Sequence, residues 1–131
     1  MKAELGERQA HIAALEELKE RLVRELAEYI DAIVLYGSVA RGEATEESDL
    51  DLLIIVKAGG SRTVEAILDI SYDVDLRYGI TTSHLYLSSE QFERLVELGS
   101  PLIEDLLTQG VVLYDNGTFK RIHQKVFSIS Q

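Results

Sequence analysis

Apolar residues follow two rhythms along the chain. Over about residues 7–29, Ile12, Leu15, Leu18, Leu22, Leu26 and the adjoining Ile30 recur every three or four positions. That spacing puts them on one face of a helix. Glu16, Glu17, Lys19, Glu20, Arg21, Arg24 and Glu25 fill most of the rest. The rhythm then changes. Asp31–Tyr36 is a short, nearly continuous apolar run, as expected of a strand covered on both faces. Gly37-Ser38 ends it abruptly. Leu50–Val56 (Leu-Asp-Leu-Leu-Ile-Ile-Val) predicts a second strand, and Lys57-Ala-Gly-Gly-Ser-Arg62 is a flexible connection by composition.

Residues 63–77 favour a helix with Val64, Ile67, Leu68, Ser71 and Val74 on one face and Gly79 near its end. The alternation in Tyr72–Leu76 leaves strand as the alternative there. Ile80–Leu87, rich in β-branched and aromatic residues, predicts a third strand. Ser88 and Gln91 have capping-box spacing, so a helix should run from there to about Leu98, with Gly99 as its stop. Ser100-Pro101 opens another, since proline is tolerated at the first helical position, and Gly110 closes it. Val111–Tyr114 reads as a short strand or edge segment. Asp115-Asn116-Gly117 is a turn signal, and a last helix should cover about Thr118 to Phe127.

Strands alternating with helices predict an α/β (α+β) fold, a small mixed β-sheet flanked by helices. One domain is expected over residues 1–131, with a core at about 20–115 and a C-terminal helical extension at about 118–131. The length of 131 residues and 46% hydrophobic content suffice for a real core. The net charge of −10 disfavours nucleic acid as the main partner, because phosphate contacts rely on clustered Lys and Arg. Cysteine is absent, no basic-then-apolar leader opens the chain, and no apolar run approaches a membrane span. A cytoplasmic location is therefore expected.

The chemistry concentrates between the first two strands. Residues two apart on a strand share a face, roughly 6–7 Å apart. Asp49 and Asp51 therefore project side by side, while Leu50 and Leu52 point into the core. Adjacent carboxylates repel, and a divalent cation such as Mg²⁺ relieves that cost. Two such ions about 3.5–4 Å apart would suit phosphoryl or nucleotidyl transfer. Gly37 allows a sharp turn and close ligand approach. Ser38 adds a hydroxyl where a short helix can begin, and amides at a helix start bind anions. Arg41 can reach a phosphate or pair with Glu43, Glu46 or Glu47.

Gly37-Ser38 followed by Asp49-Leu50-Asp51 resembles the signature of the polymerase-β-type nucleotidyltransferases. The wider Gly-Ser-x-Ala-Arg-Gly…Ser-Asp-Leu-Asp form resembles their minimal nucleotidyltransferase (MNT) branch. The resemblance implies that Gly37 and Ser38 hold the triphosphate of a nucleoside triphosphate, with ATP expected, and that Asp49 and Asp51 bind the divalent ions. It implies transfer of a nucleoside monophosphate to a hydroxyl of a protein or small molecule. It also implies a helical partner of the HEPN type in a two-gene toxin–antitoxin system. The family carries a third carboxylate on a following strand, and Ile80–Leu87 contains no acid. Asp75 is the candidate if Tyr72–Leu76 is a strand; otherwise Thr81 or Ser83 takes the acid's place. A fold-retaining module that binds its partner without chemistry is the alternative function. His84 reads as a half-buried strand histidine, with base or ligand as the other reading. His11 and His123 read as surface residues. The sequence leaves the oligomeric state open, homo-oligomer included.

Overall fold

The computed structural model describes residues 2–45, 47–57 and 60–130, and side chains for those between 9 and 125. Helix α1 (Lys2–Leu26) leads through a 3₁₀ turn (Ala27–Tyr29) into strand β1 (Ile30–Tyr36). There follow α2 (Gly37–Ala40), β2 (Leu50–Val56), α3 (Ser61–Tyr78) and β3 (Thr82–Leu87). The chain closes with α4 (Ser89–Leu98), α5 (Pro101–Gln109), β4 (Val111–Asp115) and α6 (Thr118–Ser130). The strands form one mixed sheet in the order β3-β2-β1-β4. β1 is antiparallel to both β2 and β4, whereas β2 and β3 are parallel with α3 as their crossover.

The sheet is covered on both sides, which explains why β1 and β2 are apolar without alternation. Ile33, Leu35, Leu50, Leu52 and Ile54 meet Leu18 and Leu22 of α1 and Ile67, Ile70 and Val74 of α3. Ala32, Val34, Leu53 and Ile55 meet Phe92 of α4, Ile103 and Leu106 of α5, and Phe119 and Ile122 of α6. Asp51 follows the alternation of Leu53 and Ile55, so it belongs to the α4–α6 side.

The helix faces are rotated from those the periodicity predicts. In α1 the inward line is His11, Ala14, Leu18 and Leu22, and Ile12 is 52% exposed. His11 is not a surface residue. It is buried, with Nε2 3.2 Å from the carbonyl oxygen of Ser48. In α3 the buried residues are Thr63, Ile67, Ile70, Ser71 and Val74. His123 is also drawn in: it packs on Phe119 and lies 3.0 Å from the carbonyl of Leu107.

Local signals hold well elsewhere. Ser88 and Gln91 form the reciprocal capping box, and Pro101 opens α5. Asp115 accepts the amides of Gly117, Phe119 and Lys120 at the start of α6. Buried Asp31 joins three elements, accepting from Lys57 at 3.0 Å and from Asn116 at 2.8 Å. Of the flexible connection predicted at 57–62, residues 58 and 59 lie outside the described residues. No helix among the described residues is long and apolar enough to cross a membrane.

Gly110 joins α5 to β4 where no side chain fits. A Cβ there would collide with the Leu106 carbonyl and come within 2.9 Å of Val34 Cγ1. Gly110→Ala should therefore destabilise the fold by about 2 kcal/mol or more. Urea unfolding monitored by circular dichroism checks this.

Candidate active site

β1 and β2 end side by side, and their ends carry the motif. Tyr36 pairs with Asp51 across the ladder. The chain then turns at Gly37, whose φ of +78° favours glycine, into the single turn of α2. A Cβ on Gly37 would run into the Asp51 carboxylate. The corner and the acid are thus in van der Waals contact, and the absence of a side chain permits it. Backbone bonds from Arg41 to Gly37 (3.2 Å) and from Glu43 to Ser38 (2.9 Å) close the turn.

Asp49 and Asp51 flank Leu50, which is fully buried. Asp49 is exposed and Asp51 partly covered. Neither has a hydrogen-bond or ion-pair partner among the described residues. The loop before them is tied down by a turn between Thr45 and Ser48, by His11 at the Ser48 carbonyl, and by the Leu50 amide bonding to Thr81. Burial, then the neighbouring Asp49, push the Asp51 carboxyl above its ordinary range, and Arg41 opposes them. Burial, followed by the Asp51 charge, raises the Tyr36 hydroxyl.

Arg41 does not face the motif alone. Its guanidinium reaches Glu43 Oε2 at 3.1 Å and Asp105 Oδ2 on α5 at 3.4 Å. Sequence proximity suggests Glu43. Asp105 lies 64 positions away, and no local pattern announces it. Glu46 lies outside the described residues, and Glu47 is exposed.

The third acid is missing from the described residues. β3 runs parallel to β2 with Ser83 opposite Asp51 and Thr82 opposite Leu50. Ser83 therefore stands beside Asp51, where a carboxylate on this strand would sit. Asp75 does not substitute for it, because residues 72–76 are helical. Its carboxylate instead accepts from the Thr82 hydroxyl at 2.5 Å and the Thr82 amide at 3.2 Å, joining α3 to β3. His84 is turned to the α3 side, 2.8 Å from the Ser71 hydroxyl, and burial lowers its pKa. It is a half-buried strand histidine on the face opposite Asp51. Among the described residues no three His, Asp or Glu side chains form a metal-holding group.

The raised Asp51 carboxyl sets a direction for stability. The folded chain holds this proton more tightly than the unfolded chain does. Its contribution is full below the unfolded pKa and is lost as pH rises through the folded one. Asn imitates the protonated form. Asp51→Asn should thus melt higher than the wild type at pH 7 in chelator, by about 1–3 °C. The gap should close as pH falls below the ordinary carboxylate range. Thermal melts across that pH series measure it.

Comparison with known proteins places this geometry. A model of the nucleotidyltransferase domain matches residues 15–130, and so takes in both halves of the motif. Two Methanocaldococcus jannaschii proteins, each named as a candidate protein adenylyltransferase, are similar. One is 32% identical over 108 residues, covering 80% of this chain and 72% of the relative. The other is 32% identical over 101 residues, covering 77% and 95%. A solved structure described as a candidate minimal nucleotidyltransferase superposes with a TM-score of 0.53 at 26% identity, covering 79% of this chain and 93% of that one. A chain from the crystal structure of a toxin–antitoxin with AMP-PNP gives 0.57 at 16% identity, covering 88% and 86%, a likeness of fold. With the family model spanning the Gly-Ser corner and the Asp-Leu-Asp strand alike, the chain belongs to the nucleotidyltransferase domain family.

Proposed function

We propose that this chain transfers AMP from ATP to a hydroxyl of a protein partner, as the antitoxin member of a HEPN/MNT-type pair. The observation that carries this reading is the contact between Gly37 and Asp51. It sets an anion-binding corner against a pair of carboxylates that have no hydrogen-bond or ion-pair partner among the described residues. The names of the archaeal relatives support a protein acceptor. The AMP-PNP and toxin–antitoxin description of a fold neighbour supports the donor and the paired system. A cytoplasmic location fits such a donor.

Asp49 and Asp51 would hold Mg²⁺. The donor set fits it: hard oxygens, mutual repulsion, and a carboxyl already pushed up by burial and by its neighbour. A bound ion would neutralise charge on the triphosphate and the leaving group. Gly37 offers backbone without a side chain, Ser38 a hydroxyl, and α2 its opening amides, to the phosphates. Arg41, shared with Glu43 and Asp105, stands close enough to act on Asp51 and supplies positive charge for a phosphate oxygen. In the transfer, the acceptor oxygen bonds to the α-phosphorus, the bond to the β-phosphate breaks, and pyrophosphate leaves.

Ser83 favours a second reading. A hydroxyl beside Asp51 cannot take a proton from the acceptor as a carboxylate does. On this reading the chain keeps the fold and the nucleotide corner and neutralises its partner by binding alone.

Incubation of the chain with a co-expressed HEPN-type partner, ATP and Mg²⁺, followed by intact-mass spectrometry, separates the two. The enzyme reading predicts AMP on the partner, reduced at least about 100-fold by Asp49→Ala or Asp51→Ala. An unmodified partner in a stable complex supports the binding module. Ser83→Asp should raise the transfer rate by about tenfold or more if the missing acid limits turnover.

A further inference from the structure

The cation beside the two carboxylates is held from two sides. Arg41 caps the end of α2, a helix of four residues. An arginine stem has many rotamers, and ordering one on a ligand weakens binding. Here much of that ordering is done in the free chain. Nε donates to Glu43 Oε2 at 3.1 Å, and Nη1 donates to Asp105 Oδ2 at 3.4 Å. Contacts at two nitrogens of one planar fork fix both its direction and its plane. The N–H groups on Nη2 have no partner among the described residues and are available to a phosphate.

The two acids stand on unequal footing. Glu43 lies in the loop after α2, and its side chain is 65% exposed. Asp105 lies within α5, between Ile103 and Leu106, which are buried in one cluster with Ala32, Val34 and Leu53 of the sheet. At the end of the same helix, Gly110 is seated against Val34. The core thus fixes the Asp105 backbone relative to β1 and β2, whereas Glu43 is carried by the loop that it would steady.

Stability does not account for the Arg41–Asp105 pair. Both side chains are about one-third exposed, and ion pairs of that kind contribute little. Affinity alone argues against it. Arg41 acts on Asp51, so Asp105 stands one guanidinium away from the carboxylate pair. A further negative charge there repels a triphosphate. The acid helps a nucleotide bind only by what it does to Arg41.

We propose that Asp105 is a positioning residue: from α5 it holds the Arg41 guanidinium beside Asp51, so that a triphosphate meets a cation already oriented. The assignment rests on the reading of the Gly37–Asp51 corner as a nucleotide site. The phosphate takes the remaining N–H groups of Arg41 and leaves both acids in place.

The sign of one effect decides it. Removing a bystander acid from an anion site tightens binding, whereas removing a positioning acid weakens it. The test is calorimetric titration with a non-hydrolysable ATP analogue and Mg²⁺ at constant ionic strength. The proteins are the wild type, Asp105→Ala, Arg41→Ala and the double variant. Alanine suits a helix interior, so Asp105→Ala should melt within about 2 °C of the wild type. It should nevertheless bind about fivefold more weakly. Arg41→Ala should bind about tenfold more weakly. In the Arg41→Ala background the Asp105→Ala change should leave affinity equal or improved, because its route is gone. Binding by Asp105→Ala as tight as that of the wild type, or tighter, would overturn the assignment. So would the same fivefold loss in the absence of Arg41. A wild type that binds no nucleotide overturns the reading of the corner itself, and the role of Asp105 with it, an outcome distinct from the other two.

Discussion

The structure depends on one close contact, that between the backbone of Gly37 and the carboxylate of Asp51. It exists because β1 and β2 pair so that Tyr36 and Asp51 are partners and the chain turns at once at positive φ. Any other residue at the corner would push the acid aside. Asp49 adds a second negative charge two positions earlier, and burial of Leu50 between them fixes the pair to the strand end. An apolar sheet thereby ends in two repelling carboxylates, a local cost that a bound cation removes. Stability and the proposed metal binding pull in opposite directions at Asp51, as is common at functional sites.

The rest of the scaffold serves that strand end unequally. The first half of the site is locked: β2 is central in the sheet, α1 reaches the loop through His11, and α5 reaches Arg41 through Asp105. The other half, on β3, is provided with a serine. Nearby acid and base groups are occupied elsewhere. Asp75 secures Thr82, and His84 bonds to Ser71 on the opposite face. The proposed nucleotide and metal binding therefore rests on a fuller set of groups than the proposed transfer does.

Much of this was legible in the sequence, for physical reasons. The doubly covered strands announce themselves as unbroken apolar runs. Leu50–Val56 matches its strand to the residue, and Ser88 and Gln91 cap as their spacing requires. The mixed α/β class and the position of the motif follow from these. Facing and long-range pairing were less legible. The apolar stripe of α1 included Ile12, but the helix turns His11 inward because the Ser48 carbonyl can satisfy it. His123 was drawn in likewise, against Phe119. The alternation at Tyr72–Leu76 imitates a strand, yet Ser71 and Val74 are buried on a helix that must cover the sheet. Asp105 had no local signature, since its partner lies across the fold. The choice of Ser83 over Thr81 beside Asp51 is a matter of register, which the pairing of β2 with β3 decides.

The central claim is that the Gly37–Asp51 corner binds a metal–nucleotide complex. Calorimetric titration of the wild type and of Asp51→Asn with a non-hydrolysable ATP analogue, each with Mg²⁺ and with chelator, addresses it most directly. The account predicts saturable binding by the wild type that depends on Mg²⁺ and is lost in Asp51→Asn, a chain that remains folded. Equal binding by both proteins, or binding indifferent to the metal, would contradict it.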